Sequence, residues 1–364
     1  MSQNAEKLVH VDTPSRAYDV HVGVGILAEV GAITREAAGG ERACIIADSN
    51  VWPLYGEKVV ASLTEAGYDV SHLTFPAGER SKNLSTLGDL LEGLAGLQLT
   101  RDDVVVAMGG GVTGDMAGFA AASYLRGCKV VQVPTSLLAM VDSSVGGKVA
   151  VDLRAGKNLA GAFFQPRAVV ADVACLKTIS HDLLTDSCGE VIKHAVLADG
   201  ALLDELAISP LNGPTRSDEE VATIVAQNVR IKRNVVSADE GERGLRQTLN
   251  LGHTIGHAIE AASDFSMGHG SCVAAGLCCM ARACEAKGWT YPDVVERITA
   301  AVHAHGLPTN SHIDHETLFH YATHDKKRHG DTMNIVVPRG IEDVVVRRVT
   351  LPELRELIDL GCGA

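Results

Sequence analysis

No extended block of lysine and arginine, of the kind that holds a nucleic acid, stands in this chain of 364 residues, whose formal net charge is −13. A nucleic-acid partner is therefore not expected, because a phosphate backbone is held by local positive charge. No run approaches the ~18 consecutive apolar residues that a membrane-spanning helix needs. The opening stretch MSQNAEKLVHVDTPSR lacks the apolar centre of a leader peptide. A soluble, cytoplasmic protein is expected, with no membrane partner. The nine cysteines have no paired spacing and their number is odd, which points to reduced, buried thiols rather than a disulfide frame. Internal repeats and low-complexity tracts are missing too. What remains is a globular composition, 46% hydrophobic, long enough for about two domains with separate cores.

The most informative stretch is 246–270, RQTLNLGHTIGHAIEAASDFSMGHG. His253 and His257 lie four residues apart in a run of helical period, so both project from one helix face. His269 follows a break and stands between Gly268 and Gly270. A helix face and a returning loop can thus converge on one point. Three protein ligands with one open position is the usual catalytic metal arrangement, and imidazole suits zinc, cobalt and iron. A lone HxxxH pair is as readily a polar patch on a helix.

The first half alternates short β-branched runs with amphipathic segments, the pattern of a mostly parallel α/β sheet. Strands are predicted at 42–47, 70–75, 103–108 and 129–133. Polar residues recur at their carboxyl ends, where open α/β sheets bind ligands. The sharpest feature is MGGGVTGDMAG, residues 108–118. Three glycines after a buried strand let the backbone approach a ligand, and a helix starting near Gly114 and Asp115 would aim its amides at a phosphate. The dinucleotide fingerprint GxGxxG is absent, and a glycine run can equally be a tight turn. Asp48, at a strand end, suits a ribose hydroxyl or the cap of the next helix.

From 141 the chain reads VDSSVGGKVAVDLRAGKNLAGAFFQP, with Lys148 and Lys157 among glycines. Such lysines suit a phosphorylated anion, or a solvated hairpin tip. After Asp172 helical patterns take over, at 182–197, 217–239, 271–287, 291–305, 314–321 and 351–360, with two β-like runs at 333–337 and 343–349. The first of these helices puts Glu190, Lys193 and His194 on one side. Glu190 is a candidate oxygen ligand there, or half of an ordinary surface ion pair. The remaining histidines from His303 to His329 read as surface residues.

Taken together, GGGVTGDMAGF, PTSLLAMVDSSVGGK, AGKNLAGAF, GEVIKH, LNLGHTIGHAIE and MGHG, in this order and spacing, resemble the 3-dehydroquinate synthase family. The resemblance runs from about Asp48 to Pro338. It implies an α/β, Rossmann-like NAD-binding domain over 1–177 and an all-helical domain over 178–364 that holds metal and substrate. It also implies NAD, one divalent ion (zinc or cobalt) and a homodimer.

Carried over by position, the resemblance makes Glu190, His253 and His269 the metal ligands. Spacing alone nominates His253 and His257; in the family only the first binds metal and His257 faces the substrate. Cofactor contacts would be Asp48, Asn50, Glu79, Lys82, Gly110, Gly111, Val112, Asp115, Thr135, Ser136, Asp142, Lys148, Lys157 and Thr178. Substrate contacts would be Lys148, Asn158, Lys193, Lys232, Arg246, Asn250, His257 and one of Lys326 or Lys327. Arg126, in YLRG, would reach the partner subunit's site. The chain departs from the family's commoner pattern at 149–152, which read VAVD, and at Ser271 and Cys272.

The implied reaction converts 3-deoxy-D-arabino-heptulosonate 7-phosphate to 3-dehydroquinate and phosphate. It runs by transient oxidation, β-elimination of phosphate, reduction, ring opening and aldol closure. A substrate with two anionic groups accounts for cationic residues in a chain of negative net charge. Two relatives compete. A sister sugar-phosphate cyclase would act on a sugar phosphate without a carboxylate, which Lys232, Arg246 and Asn250 disfavour. A metal-dependent alcohol or glycerol dehydrogenase would not need Lys148, Lys157 and Lys193.

Overall fold

The computed structural model describes residues 7–264, 266–323 and 328–363. In chain order its first strands and helices are β1 (Lys7–Asp12), β2 (Ala17–Gly23), α1 (Val30–Ala38), β3 (Arg42–Asp48), α2 (Trp52–Glu65) and β4 (Asp69–Phe75). Then follow α3 (Leu84–Gly96), β5 (Val104–Gly109), α4 (Gly111–Ser123), β6 (Lys129–Pro134), β7 (Lys148–Leu153), β8 (Gly156–Phe163) and β9 (Ala168–Asp172). The later part holds α5 (His181–Ala198), α6 (Gly200–Ile208), α7 (Asp218–Ala238), α8 (His253–Ala262), α9 (His269–Ala286), α10 (Val294–Ala304) and α11 (His315–Thr323). It closes with β10 (Arg328–His329), β11 (Thr332–Gly340), β12 (Asp343–Thr350) and α12 (Leu351–Gly361).

The chain divides into two compact units: 1–178 with 217–240, and 179–216 with 241–364. The division after Thr178 lies one residue from the expected boundary. The segment 217–240, expected in the second domain, belongs to the first. Its helix α7 is amphipathic and lays its buried stripe, including Ile224, Val225, Val229 and Val236, against β1 and β2.

The first unit is built on a seven-stranded sheet of order β1-β2-β9-β6-β5-β3-β4. Every pairing is parallel except β1 with β2. β5 and β9 are buried along their whole length, and β3 and β6 at all but their ends. Their continuous Val, Ile and Ala runs have no polar face because helices cover both sides of such a sheet. Four of the seven strands were legible; β1, β2 and β9 are additions. β1 alternates, with only Val9 and Val11 turned inward, so it presents a weak signal. α4 begins at Gly111, immediately after Gly110, and not near Gly114. KVAVDL and GKNLAGAF form an antiparallel hairpin, β7 with β8, so that the turn is confined to 154–155 and the GKN of RAGKN already belongs to the second strand.

The second unit is helical, as expected, with one correction to its being wholly so: β10, β11 and β12 form an antiparallel sheet. The β-branched run in TMNIVVPRG pairs with DVVVRRVT because Met333, Ile335, Val337 and Val349 fill the helical core. α9 runs through that core and buries thirteen of its eighteen residues. All nine cysteines are buried free thiols. His305 corrects the surface reading. It is 2% exposed, its Nδ1–H donating to the Ala301 carbonyl (2.8 Å) and its Nε2 accepting from the Leu211 amide (2.9 Å).

Candidate active site

Two groups of side chains carry the candidate chemistry, one in each unit. In the second, α5 supplies Glu190, α8 supplies His253 and the first residue of α9 is His269. The Nε2 atoms of both histidines lie 3.4 Å from Glu190 Oε1. The three residues form a set able to hold a metal ion. Glycine makes the convergence possible. A Cβ on Gly189 would stand 2.0 Å from the Gly270 carbonyl oxygen, and one on Gly270 1.8 Å from that of Asp186. α5 and the start of α9 therefore touch backbone to backbone, and Glu190 and His269, each one residue from those glycines, are carried together. At the head of α8, Gly252 holds φ +77°, a conformation that favours glycine, and turns the chain so that His253 points inward.

The far side of each imidazole is also fixed. His253 Nδ1 lies 3.0 Å from the Leu251 carbonyl, and His269 Nδ1 lies 3.1 Å from Glu260 Oε2. Each ring thus donates from Nδ1 and leaves Nε2 facing Glu190, the arrangement of metal-binding histidines. Burial drives His253 well below its usual range, so it is a neutral donor. Burial also opposes the Glu190 charge, but Lys193, His269 and His253 outweigh it and hold the carboxyl well below its normal value. Against burial, hydrogen bonds and charge from Glu190 and Glu260 raise His269 to about 10. Both Glu190 oxygens are sealed from solvent. One carboxylate and two imidazoles on a common point fit zinc or cobalt.

Lys193, one turn along α5, pairs with Glu190 Oε2. His257 lies near both histidine ligand candidates, its ring centroid 5.0 Å from that of His253 and 5.9 Å from that of His269. Arg246 and Asn250 belong to a 3-10 turn, Leu245–Asn250, that leads into α8. Arg246 is buried, and Asn250 donates to Glu242 Oε1 and the Gln247 carbonyl, each at 3.2 Å. Lys326 and Lys327 lie outside the described residues.

In the first unit the glycine run ends β5, and Gly110 caps α4 with extended backbone. Gly110 and Gly111 look onto the Ser136 and Ser143 hydroxyls, and Thr135 donates its amide to the Gly109 carbonyl (2.9 Å). This open helix start with neighbouring hydroxyls is suited to a phosphate; Val112 lies in its first turn. Asp48 sits beside it and is occupied locally. Its Oδ1 accepts from the Asn50 and Val51 amides (2.9 and 3.1 Å), and its Oδ2 from the Thr113 hydroxyl (3.0 Å).

Lys82 is buried with its ammonium 2.6 Å from both Asp115 Oδ2 and Asn158 Oδ1. Burial pushes Asp115 up to about 6 against the pull of Lys82. Lys157 pairs with Glu79 at 3.4 Å, and Lys232 with Asp142 at 2.6 Å. Thr178 shares a 2.5 Å hydrogen bond with Tyr55. Lys148 opens β7, its side chain exposed. Arg126, at φ +64° after Leu125 at φ +49°, lines a cavity of about 190 Å³ with Arg16, Arg101, Lys129 and Arg167. The sequence nominated the residues grouped here in each unit but not Glu260, Asp186 or the Leu251 carbonyl. Glu260 had a signal, standing seven residues after His253 on the same helix face.

Comparison with known proteins gives the family. Residues 72–186 match the family described as 3-dehydroquinate synthase N-terminal, and residues 187–328 the one described as 3-dehydroquinate synthase C-terminal. A 3-dehydroquinate synthase of Clostridium acetobutylicum is 39% identical, with 95% of this chain and 98% of that protein covered. Among solved structures, a 2-deoxy-scyllo-inosose synthase complexed with carbaglucose-6-phosphate, NAD+ and Co2+ is similar at a TM-score of 0.87. It is 27% identical, with 98% of this chain and 100% of that one covered. The 2-epi-5-epi-valiolone synthase of Streptomyces hygroscopicus subsp. jinggangensis 5008, with NAD+ and Zn2+ bound, gives a TM-score of 0.83 at 26% identity. There the coverage is 94% of this chain and 96% of that one.

Proposed function

This chain belongs to the 3-dehydroquinate synthase family, and we propose that it works with NAD and one zinc or cobalt ion held by Glu190, His253 and His269. It is a carbon–oxygen lyase that converts 3-deoxy-D-arabino-heptulosonate 7-phosphate to 3-dehydroquinate and phosphate. The observation that carries the metal reading is the pair of imidazole Nε2 atoms, each 3.4 Å from one buried oxygen of Glu190.

When bound, NAD supplies a reversible hydride acceptor and the metal a Lewis-acidic contact for a substrate hydroxyl. The chain's own part is binding and orientation. Gly110, Gly111 and Val112 at the head of α4 hold the cofactor pyrophosphate, with Thr135, Ser136, Asp142, Lys148, Lys157 and Thr178 as further contacts. Asp48 and Asn50 take the ribose end, and Glu79, Lys82 and Asp115 the nicotinamide side. Lys148, Asn158 and Lys232 in the first unit, and Lys193, Arg246, Asn250 and His257 in the second, are the proposed substrate contacts. Lysine and arginine suit a phosphate and a carboxylate, and fixed geometry lowers the barrier to elimination and ring closure. Arg126 is assigned to the partner subunit's site in a homodimer. We place the activity in the cytoplasm, in keeping with nine buried free thiols; no helix among the described residues is long and apolar enough to cross a membrane.

Phosphate release separates this reading from the sister cyclases. The heptulosonate phosphate should be turned over, while glucose 6-phosphate and sedoheptulose 7-phosphate, which lack its carboxylate, should not. Preference for either of these would move the chain to another branch of sugar-phosphate cyclases.

A further inference from the structure

We infer that Glu260 is a positioning residue for the metal site, fixing the ring of His269 so that its Nε2 faces Glu190. The inference rests on the metal-site reading above and deepens it. α8 carries His253, His257 and Glu260 at helical spacing 0, +4 and +7, so one face presents all three. Glu260 is 6% exposed, and its Oε2 lies 3.1 Å from His269 Nδ1. His269 itself opens α9, where only its backbone is fixed locally. Asp186 accepts from the amides of Gly270 (3.2 Å) and Ser271 (2.8 Å) at that helix start. The imidazole remains free to rotate about its own side-chain bonds unless something outside α9 holds it.

Glu260 supplies that restraint from the neighbouring helix. A carboxylate accepting from Nδ1 selects the tautomer that leaves Nε2 as the donor, and it makes the ring a better ligand. His253 meets the same need differently, through the Leu251 carbonyl at 3.0 Å. α8 thereby does two jobs: it contributes one candidate ligand and orients another that belongs to α9.

One competing assignment comes from the same atoms. His257, Glu260 and His269 also cluster closely enough to hold an ion, which would make Glu260 itself a ligand. The two roles respond differently to substitution. An amide oxygen still accepts from Nδ1 but is a poor substitute for a carboxylate ligand, so Glu260→Gln should rescue a positioning residue and not a ligand.

The test is a Zn2+ titration against a chromophoric chelator, together with the visible spectrum of the Co2+-loaded, NAD-bound enzyme. It compares Glu260→Ala, Glu260→Gln, His257→Ala and, as a control, His253→Ala. Glu260→Ala should bind zinc about 10- to 100-fold more weakly and show an altered cobalt spectrum. Glu260→Gln should recover most of the affinity and the native spectrum, and His257→Ala should keep both. If Glu260→Ala binds as the unsubstituted enzyme does while His253→Ala loses the ion, the positioning role is wrong and the metal site stands. If Glu260→Gln is as weak as Glu260→Ala and His257→Ala fails with it, Glu260 is a ligand and the inference is overturned. Retention of the ion by His253→Ala would overturn the metal-site reading instead. Should Glu260→Ala not fold, the Glu260→Gln and His257→Ala pair still decides between the two roles.

Discussion

Lys193 places its ammonium against Glu190 Oε2 from one turn along the same helix, with the two side chains 2% and 0% exposed. The carboxylate assigned to the metal is therefore already paired with a cation, and the two positive charges share it. Lys193→Met should leave the buried carboxylate of the metal-free protein with only His269 as a cationic partner, a loss of up to about 3 kcal/mol. Added zinc should restore that stability and bind at least as tightly as before, because a competing cation is gone. Turnover should stay down by orders of magnitude. Thermal melts with and without zinc, beside phosphate release, check this; loss of zinc binding would show that the lysine supports the metal and does not compete with it.

The backbone contact between α5 and α9 leaves no room for a methyl group. Gly270→Ala would set a Cβ 1.8 Å from the Asp186 carbonyl oxygen, and Gly189→Ala one 2.0 Å from that of Gly270. Each should cost about 1–3 kcal/mol of stability by overpacking. Each should also weaken zinc binding, since the helices must separate and carry Glu190 away from His269. A destabilised variant with unchanged zinc affinity would break the proposed link between the glycines and the site.

Asp103 ties the turn before β5 to the start of β3. Burial works to raise its pKa, but the amides of Thr100, Arg42 and Glu41 and the Thr100 hydroxyl together hold it below the ordinary 3.8. A depressed carboxylate stabilises the fold above its unfolded value and loses that contribution as pH falls through the lower folded value. Asp103→Asn should therefore melt at lower temperature than the unsubstituted protein at neutral pH. The gap should close as pH drops below 3.8. A gap that widens in acid would refute the assignment.

If Arg126 completes the partner subunit's site, two inactive variants should rescue one another. Arg126→Ala and His253→Ala, mixed under conditions of subunit exchange, give heterodimers in which both defects fall on one site. The other site is then intact, so each mixed dimer should regain one native site, about half the activity of a native dimer. No recovery despite demonstrated exchange would place Arg126 in its own chain's site.

How far the sequence could be read varies with the kind of contact. The buried strands β3, β5 and β6 announce themselves as continuous apolar runs, and the lengths of α5, α7 and α12 follow from periodicity. β1 and β2 carry only half-buried alternation, which short polar-flanked segments share with loops. The metal site exposes the limit more sharply. Spacing pairs His253 with His257, yet the set around Glu190 takes His269, brought in by a helix–helix contact that depends on Gly189 and Gly270. No local pattern encodes that contact; only the family resemblance nominated the three residues that the fold brings together. The placement of α7 in the first unit was missed for a similar reason, because its apolar stripe does not say which surface it covers.

The central claim is that NAD is used and restored within each turnover, which separates a synthase from a dehydrogenase of similar fold. The direct measurement is phosphate release and reduced-nicotinamide absorbance followed together, with NAD limited to the enzyme concentration. The account predicts many equivalents of phosphate per NAD and no net rise of NADH, because the hydride returns to the same substrate. NADH accumulating in step with product, with phosphate retained on the substrate, would contradict it.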